Sequence, residues 1–262
     1  HDGPSTFEIA SGKRLTMKSD FTVPASRKMS LTGSNGVLDL QNTLTLSGTL
    51  EFAVPQTLDN GTLALNGGTL SVKDNVTISS AIVHSLDSTV DIYSGSTLTH
   101  SGGALNIGAK TLTLSGGGTF ANVDQLVLNN AGGELEFSGD NITTVSHVKI
   151  SSGDSSNAPT LKMSSNGVIQ NLAHEEFSEI NFASGKTLSI TEAFEVPAGK
   201  QMTISGAAGT LSLGDNMVLA GTLNLPVANT TLSGGTVTLN GGTLQVDEDT
   251  NFISDLAQQA DS

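Results

Sequence analysis

Short runs of the form Thr-Leu-x-Leu recur almost throughout the chain, and this alternation restricts the fold more than any other feature. Examples are Thr43-Leu44-Thr45-Leu46, Thr62-Leu63-Ala64-Leu65, Thr111-Leu112-Thr113-Leu114, Thr210-Leu211-Ser212-Leu213 and Thr236-Val237-Thr238-Leu239. An apolar residue at every second position is the signature of a strand with one buried face. Glycine-rich breaks follow the runs, as at Asn66-Gly67-Gly68, Gly116-Gly117-Gly118, Ser233-Gly234-Gly235 and Asn240-Gly241-Gly242. Glycine supplies the positive φ values that tight corners need. A helical period survives only briefly, from Asn171 to Glu179 and from Ser254 to Ala260, where about two turns at most are expected.

The chain also repeats itself on a larger scale. Ala10-Ser11-Gly12-Lys13 returns as Ala183-Ser184-Gly185-Lys186, and Phe21-Thr22-Val23-Pro24-Ala25 as Phe194-Glu195-Val196-Pro197-Ala198 in the same register. After a one-residue insertion, Leu65-Asn66-Gly67-Gly68-Thr69-Leu70 returns unchanged as Leu239-Asn240-Gly241-Gly242-Thr243-Leu244. The matched stretches are residues 10–72 and 183–246. Repeats of this kind are units that cannot bury their apolar edges alone and so stack on their neighbours. The expected fold is an all-β parallel β-solenoid, a β-helix, forming one domain over residues 1–253. Three strands per turn of about 20–25 residues give about 10–13 turns. Stacked β-sandwiches also use short strands with regular turns, but they favour longer strands anchored by aromatic residues.

Composition agrees with thin, stacked layers. There is no Trp, a single Tyr (Tyr93) and no Cys, so neither large rings nor disulfides hold the fold. The net charge of −14 repels nucleic acid and anionic lipid, and the only arginines are Arg14 and Arg27. No nucleic-acid partner is expected, and no apolar run is long enough for a membrane-spanning helix. The first residues, His1-Asp2-Gly3-Pro4, carry no initiator methionine, as expected of a processed mature chain or of a trimmed one, and secretion is expected from the composition.

Segments such as Val196-Pro197-Ala198-Gly199-Lys200-Gln201-Met202-Thr203-Ile204-Ser205-Gly206 and Leu239-Asn240-Gly241-Gly242-Thr243-Leu244 resemble rungs of a known group of proteins. They are similar to the right-handed β-helical passenger regions of bacterial autotransporters and filamentous-haemagglutinin-like adhesins. The resemblance covers most of the chain and rests on Gly, Thr, Leu and Asn at loose spacing. It implies an extracellular or cell-surface bacterial protein with a structural, fibrous role.

Chemistry is sparse. Polysaccharide-active β-helices cluster Asp residues, or Lys and Arg with Ca²⁺, around the scissile bond. Here the densest acidic run, Asp247-Glu248-Asp249, has no Arg or His beside it. His84, His100, His147 and His174 stand alone, without a partner at metal-ligand spacing. The chain is therefore expected not to be an enzyme and to hold no cofactor. Weak surface Ca²⁺ at Asp247, Glu248 and Asp249, or at Glu175 and Glu176, is the nearest exception. Thr-x-Thr pairs at Thr43/Thr45, Thr97/Thr99, Thr111/Thr113 and Thr236/Thr238 are too irregularly spaced for an ice-binding face and read as outward strand threonines. The sequons at Asn60, Asn75, Asn141 and Asn229 are expected by chance in so Thr-rich a chain.

A solenoid has two ends whose unpaired strands invite another chain. Residues 254–262 are expected to form a C-terminal cap, helical for a turn or two, and His1 to Ser5 could fold over the first rung. Contact between the ends of successive copies would be heterologous and non-closing, which generates a filament. The expected function is a self-assembling subunit of a surface filament, tube or layer, a homo-oligomer or homopolymer. The alternatives are an adhesin fragment binding an extracellular glycan or matrix ligand, and a polysaccharide-active enzyme.

Overall fold

Thr43–Leu46 and Thr62–Asn66 lie side by side, parallel and in register, with Leu44 over Leu63 and Leu46 over Leu65. That relation, repeated from end to end, is the whole architecture. The computed structural model describes residues 4–259. It is a parallel β-solenoid of the right-handed type with about twelve turns and a repeat of about 21 residues. With strands about 4.8 Å apart, the coil is about 50 Å long.

Most turns contribute one strand to each of three faces. The first face is a twelve-stranded sheet running from Ser5–Glu8 to Thr243–Val246. The second face runs from Arg14–Met17 to Thr250–Phe252. The third begins as a four-stranded sheet, Phe21–Val23 to Ala81–Leu86, and ends as another, Phe194–Val196 to Asp255–Gln258. Between them lie Leu105–Asn106, Leu126–Leu128 and the C-terminal ends of the long strands Thr143–Ile150 and Gly167–His174. Those long strands turn the corner without breaking, which joins second and third faces into one sheet there.

The alternation read from the sequence becomes an apolar lumen. Leu50, Leu70, Val90, Leu114, Phe137, Met163 and Phe182 form one continuous column on the first face, and all are buried. New columns start where a buried serine takes the inward position. Ser88 faces Leu112, and Ser178 faces Met202. The bulky rings fit because glycine stands beside them. A Cβ on Gly167 would lie 2.5 Å from the Phe137 ring, and one on Gly209 would lie 2.3 Å from that of Phe182.

The duplicated stretches occupy equivalent places in the coil. The corner Pro24-Ala25-Ser26-Arg27 closes with Arg27 N–H donating to the Pro24 carbonyl at 3.0 Å, and Pro197-Ala198-Gly199-Lys200 closes identically at 3.0 Å. Ser26 has φ +60° and Gly199 φ +73°, so both copies place a left-handed residue third in the turn. The glycines of the next rung, Gly48 and Gly221, sit directly on these turns. The internal repeat is thus a structural one.

Two expectations fail. Among the described residues there is no helix. Asp255–Gln258, expected as part of a helical cap, is a strand paired with Thr236–Leu239 that places Leu256 over Val237. The ladder offers this segment a full set of backbone partners, whereas an isolated helix of about two turns does not repay its nucleation. Likewise Asn171 to Glu179 is the end of the strand Gly167–His174, a three-residue corner and the start of the strand Ser178–Phe182. Ser5 opens the first strand, and His1–Gly3 and Ala260–Ser262 lie outside the described residues.

Candidate functional site

Outward side chains on neighbouring turns form ladders, and the charged ones cluster. Glu51 Oε2 lies 2.7 Å from Lys28 Nζ and 2.6 Å from Lys73 Nζ, so one carboxylate joins three successive turns. Burial alone would raise the Glu51 pKa, but its hydrogen bonds with the two ammonium groups outweigh that and hold it below the usual range. On the second face Arg14 Nη1 lies 3.2 Å from both Asp39 and Asp59, again across three turns. Both pairs brace the outside of the coil.

The Thr-x-Thr pairs do not stack on one another. Thr43 and Thr45 face Thr62 and Ala64, Thr97 and Thr99 face Thr119 and Ala121, and Thr111 and Thr113 face Glu134 and Glu136. Thr236 and Thr238 face Asp255 and Ala257. None of the four therefore meets a second Thr-x-Thr pair on the next turn.

The four histidines among the described residues lie on separate turns, each with its own partner. His84 Nδ1 meets the Ile107 carbonyl at 2.8 Å, and His100 Nε2 meets that of Ser80 at 3.3 Å. His147 Nδ1 meets the Asn122 carbonyl at 2.7 Å, and His174 Nε2 meets Ser178 Oγ at 2.8 Å. Glu175 pairs with Lys149 at 2.9 Å and Glu176 with Lys200 at 2.6 Å. Asp247, Glu248 and Asp249 occupy an exposed corner between Thr243–Val246 and Thr250–Phe252.

One outer feature is concave, polar and aromatic at once. The corner between first and second faces varies in length from turn to turn. On one turn it runs from Tyr93 to Ser96, on the next it is only Gly116, Gly117 and Gly118, and on the third it runs from Ser138 to Ile142. The short glycine corner is recessed between its longer neighbours. The result is a groove of about 460 Å³ lined by Asp91, Tyr93, Ser94, Gly116 and Asn141. The short corner requires glycine. A Cβ on Gly117 would lie 2.1 Å from that of Asn141, and one on Gly116 would lie 2.3 Å from the Ile92 carbonyl oxygen. Tyr93 is 44 % exposed, and Lys73 Nζ sits 5.5 Å from its ring centroid while bound to Glu51. Asp91 Oδ1 accepts a hydrogen bond from Ser115 Oγ at 2.8 Å. In the sequence Tyr93 stands out only as the single tyrosine. The groove is not legible there because the recess arises from corners on three different turns.

The two ends of the described coil carry a different kind of surface. Phe7, Leu15, Met17 and Phe21 of the first turn, with Met29, Leu31 and Leu38 of the second, line an apolar opening of about 210 Å³. At the other end Val246, Ile253 and Leu256 are 50 %, 70 % and 58 % exposed. No protein-family model, no curated protein and no solved structure matches the chain.

Proposed function

We propose that the protein is a structural subunit of an extracellular bacterial surface filament, tube or layer, built by end-to-end stacking of β-solenoids. The observation that carries this reading is the pair of apolar end surfaces. Inward side chains of an inner turn are sealed by the turns above and below it. Phe7, Leu15 and Met17 have a turn on one side only among the described residues, as have Val246 and Leu256. Apolar surface beside an unpaired strand edge is what a further parallel rung covers. In this reading a second copy supplies that rung, and because the two ends differ, the contact does not close and growth continues. The extracellular, bacterial setting follows from the resemblance to autotransporter passengers and filamentous-haemagglutinin-like adhesins, and a chain without cysteine is compatible with it.

Negative-stain microscopy and sedimentation of the purified chain at neutral pH test the proposal. Rods much longer than about 50 Å, the length of one coil, are expected as concentration rises. A sample that stays at single-coil length at every concentration would overturn it.

A further inference from the structure

The recessed corner beside Tyr93 has the makings of a small-ligand site, and we propose that it binds one residue of a neutral saccharide. The reading does not depend on assembly, because every lining residue belongs to three consecutive turns of one chain.

The shape comes first. Ligand sites are concave, largely preformed, and supplied with a few convergent polar groups. The groove volume of about 460 Å³ falls inside the range typical of such sites, about 300–1,000 Å³. Gly116, at φ +89°, lines it with backbone, and Gly117, at φ +83°, leaves the room in which the Asn141 side chain sits. One wall is the Tyr93 ring. Lys73 lies near that ring and is itself fixed by Glu51, so the ring is braced before any ligand arrives.

The chemistry of the lining selects the ligand class. A pyranose has an apolar face of C–H groups and a rim of hydroxyls. Tyr93 offers the aromatic surface for the face and a phenolic hydroxyl besides. The Asp91 carboxylate is an acceptor only, suited to hydroxyl donors, and Ser115 Oγ already orients one of its oxygens. The Asn141 carboxamide both donates and accepts, and Ser94 adds a hydroxyl. Lys73 is engaged by Glu51, which also holds Lys28, and Asp91 lines the groove itself, so a negatively charged ligand meets a carboxylate there. A neutral hexose or N-acetylhexosamine residue matches this set, whereas a uronate or a phosphate does not.

The chain supplies its own reporter, because Tyr93 is the sole tyrosine and there is no tryptophan. Its fluorescence therefore reads this groove alone. The wild-type chain would be titrated with methyl glycosides of glucose, mannose and galactose, with N-acetylglucosamine, and with glucuronate and galacturonate. A saturable change with at least one neutral sugar, in the millimolar range usual for a single-residue subsite, is expected, with the uronates weaker. Saturation-transfer NMR then follows the variants, with circular dichroism verifying their fold. Tyr93→Ala should weaken binding about tenfold, and Tyr93→Phe, which keeps the ring, should retain most of it. Asp91→Asn and Asn141→Ala should each weaken it as well. No saturable response to any neutral sugar, tighter binding of the uronates, or binding indifferent to Tyr93→Ala would overturn the proposal.

Discussion

At the scale of single residues, the coil depends on where it leaves no room. Gly48 is packed against the preceding turn, and a Cβ there would lie 2.2 Å from the Pro24 carbonyl oxygen and 2.3 Å from that of Arg27. Gly12 has φ +70° but nothing within 4 Å of its missing Cβ. Alanine at Gly12 therefore costs only backbone strain, about 1–2 kcal/mol. Alanine at Gly48 must push two turns apart, and a cost of about 3 kcal/mol or more is expected. Urea midpoints of the two variants decide the matter, and equal midpoints would contradict the packing argument. The buried histidines make a second prediction. Burial holds the His174 pKa down at about 4, below its ordinary 6.5. The unfolded chain thus takes up a proton near pH 6.5 that the folded chain accepts only near pH 4. Stability from this group is complete above the upper value and is lost as pH falls toward the lower, by about 3 kcal/mol in all. Burial depresses His100 as well, in the same direction. The wild-type urea midpoint should fall between about pH 7 and about pH 5, and His174→Leu should flatten much of that fall. An undiminished fall in the variant would assign the acid sensitivity elsewhere.

At the scale of strands and corners, the sequence discloses what is local and periodic. Thr43-Leu44-Thr45-Leu46 announces its strand and its buried face, and Gly116-Gly117-Gly118 announces its corner. The duplication places equivalent turns near both ends, because Pro24 to Arg27 and Pro197 to Lys200 can make only the same corner. Register between turns is harder to read, since it depends on how many residues each corner consumes. The lumen columns shift at Ser88 and Ser178, and a lone inward serine carries no signal of that in a chain full of serine. On the third face no ladder joins Ala81–Leu86 to Leu105–Asn106, and the His84 ring reaches across to the Ile107 carbonyl instead. In sequence His84 is simply an isolated histidine. The Tyr93 groove was hidden for the same reason as these shifts. The misjudged tail, Asp255–Gln258, shows the opposite weakness, in which a short stretch with helical spacing is overruled by a ready-made strand edge.

At the scale of the whole molecule, charge gives the coil a direction. Lys13, Arg14, Lys18, Arg27 and Lys28 are five of the 11 basic residues and all lie in the first two turns, while no Lys or Arg follows Lys200. The last turn carries Asp247, Glu248, Asp249 and Asp255. Corners between first and second faces stack along one edge, as when Gly12 N–H bonds the Asn35 carbonyl and Asn229 N–H bonds that of Asp249. Lys13 and the acidic corner therefore lie on the same edge at opposite ends. If copies join end to end, head-to-tail contact brings opposite charges together, whereas head-to-head and tail-to-tail contacts oppose like charges. A complementary pair of variants tests this polarity. Lys13→Glu with Lys18→Glu makes the head acidic, and Asp247→Lys, Glu248→Lys and Asp249→Lys together make the tail basic. Each variant alone would place like charges in every joint, and shorter rods are expected, most clearly at low salt where screening is weak. Mixed together, each can follow the other with opposite charges at both joints, so rod length should recover toward that of the wild type. Full-length rods from either variant alone, or no recovery on mixing, would show that the joint is not polar in this sense. Failure of the unmodified chain to form rods would instead reject end-to-end assembly itself.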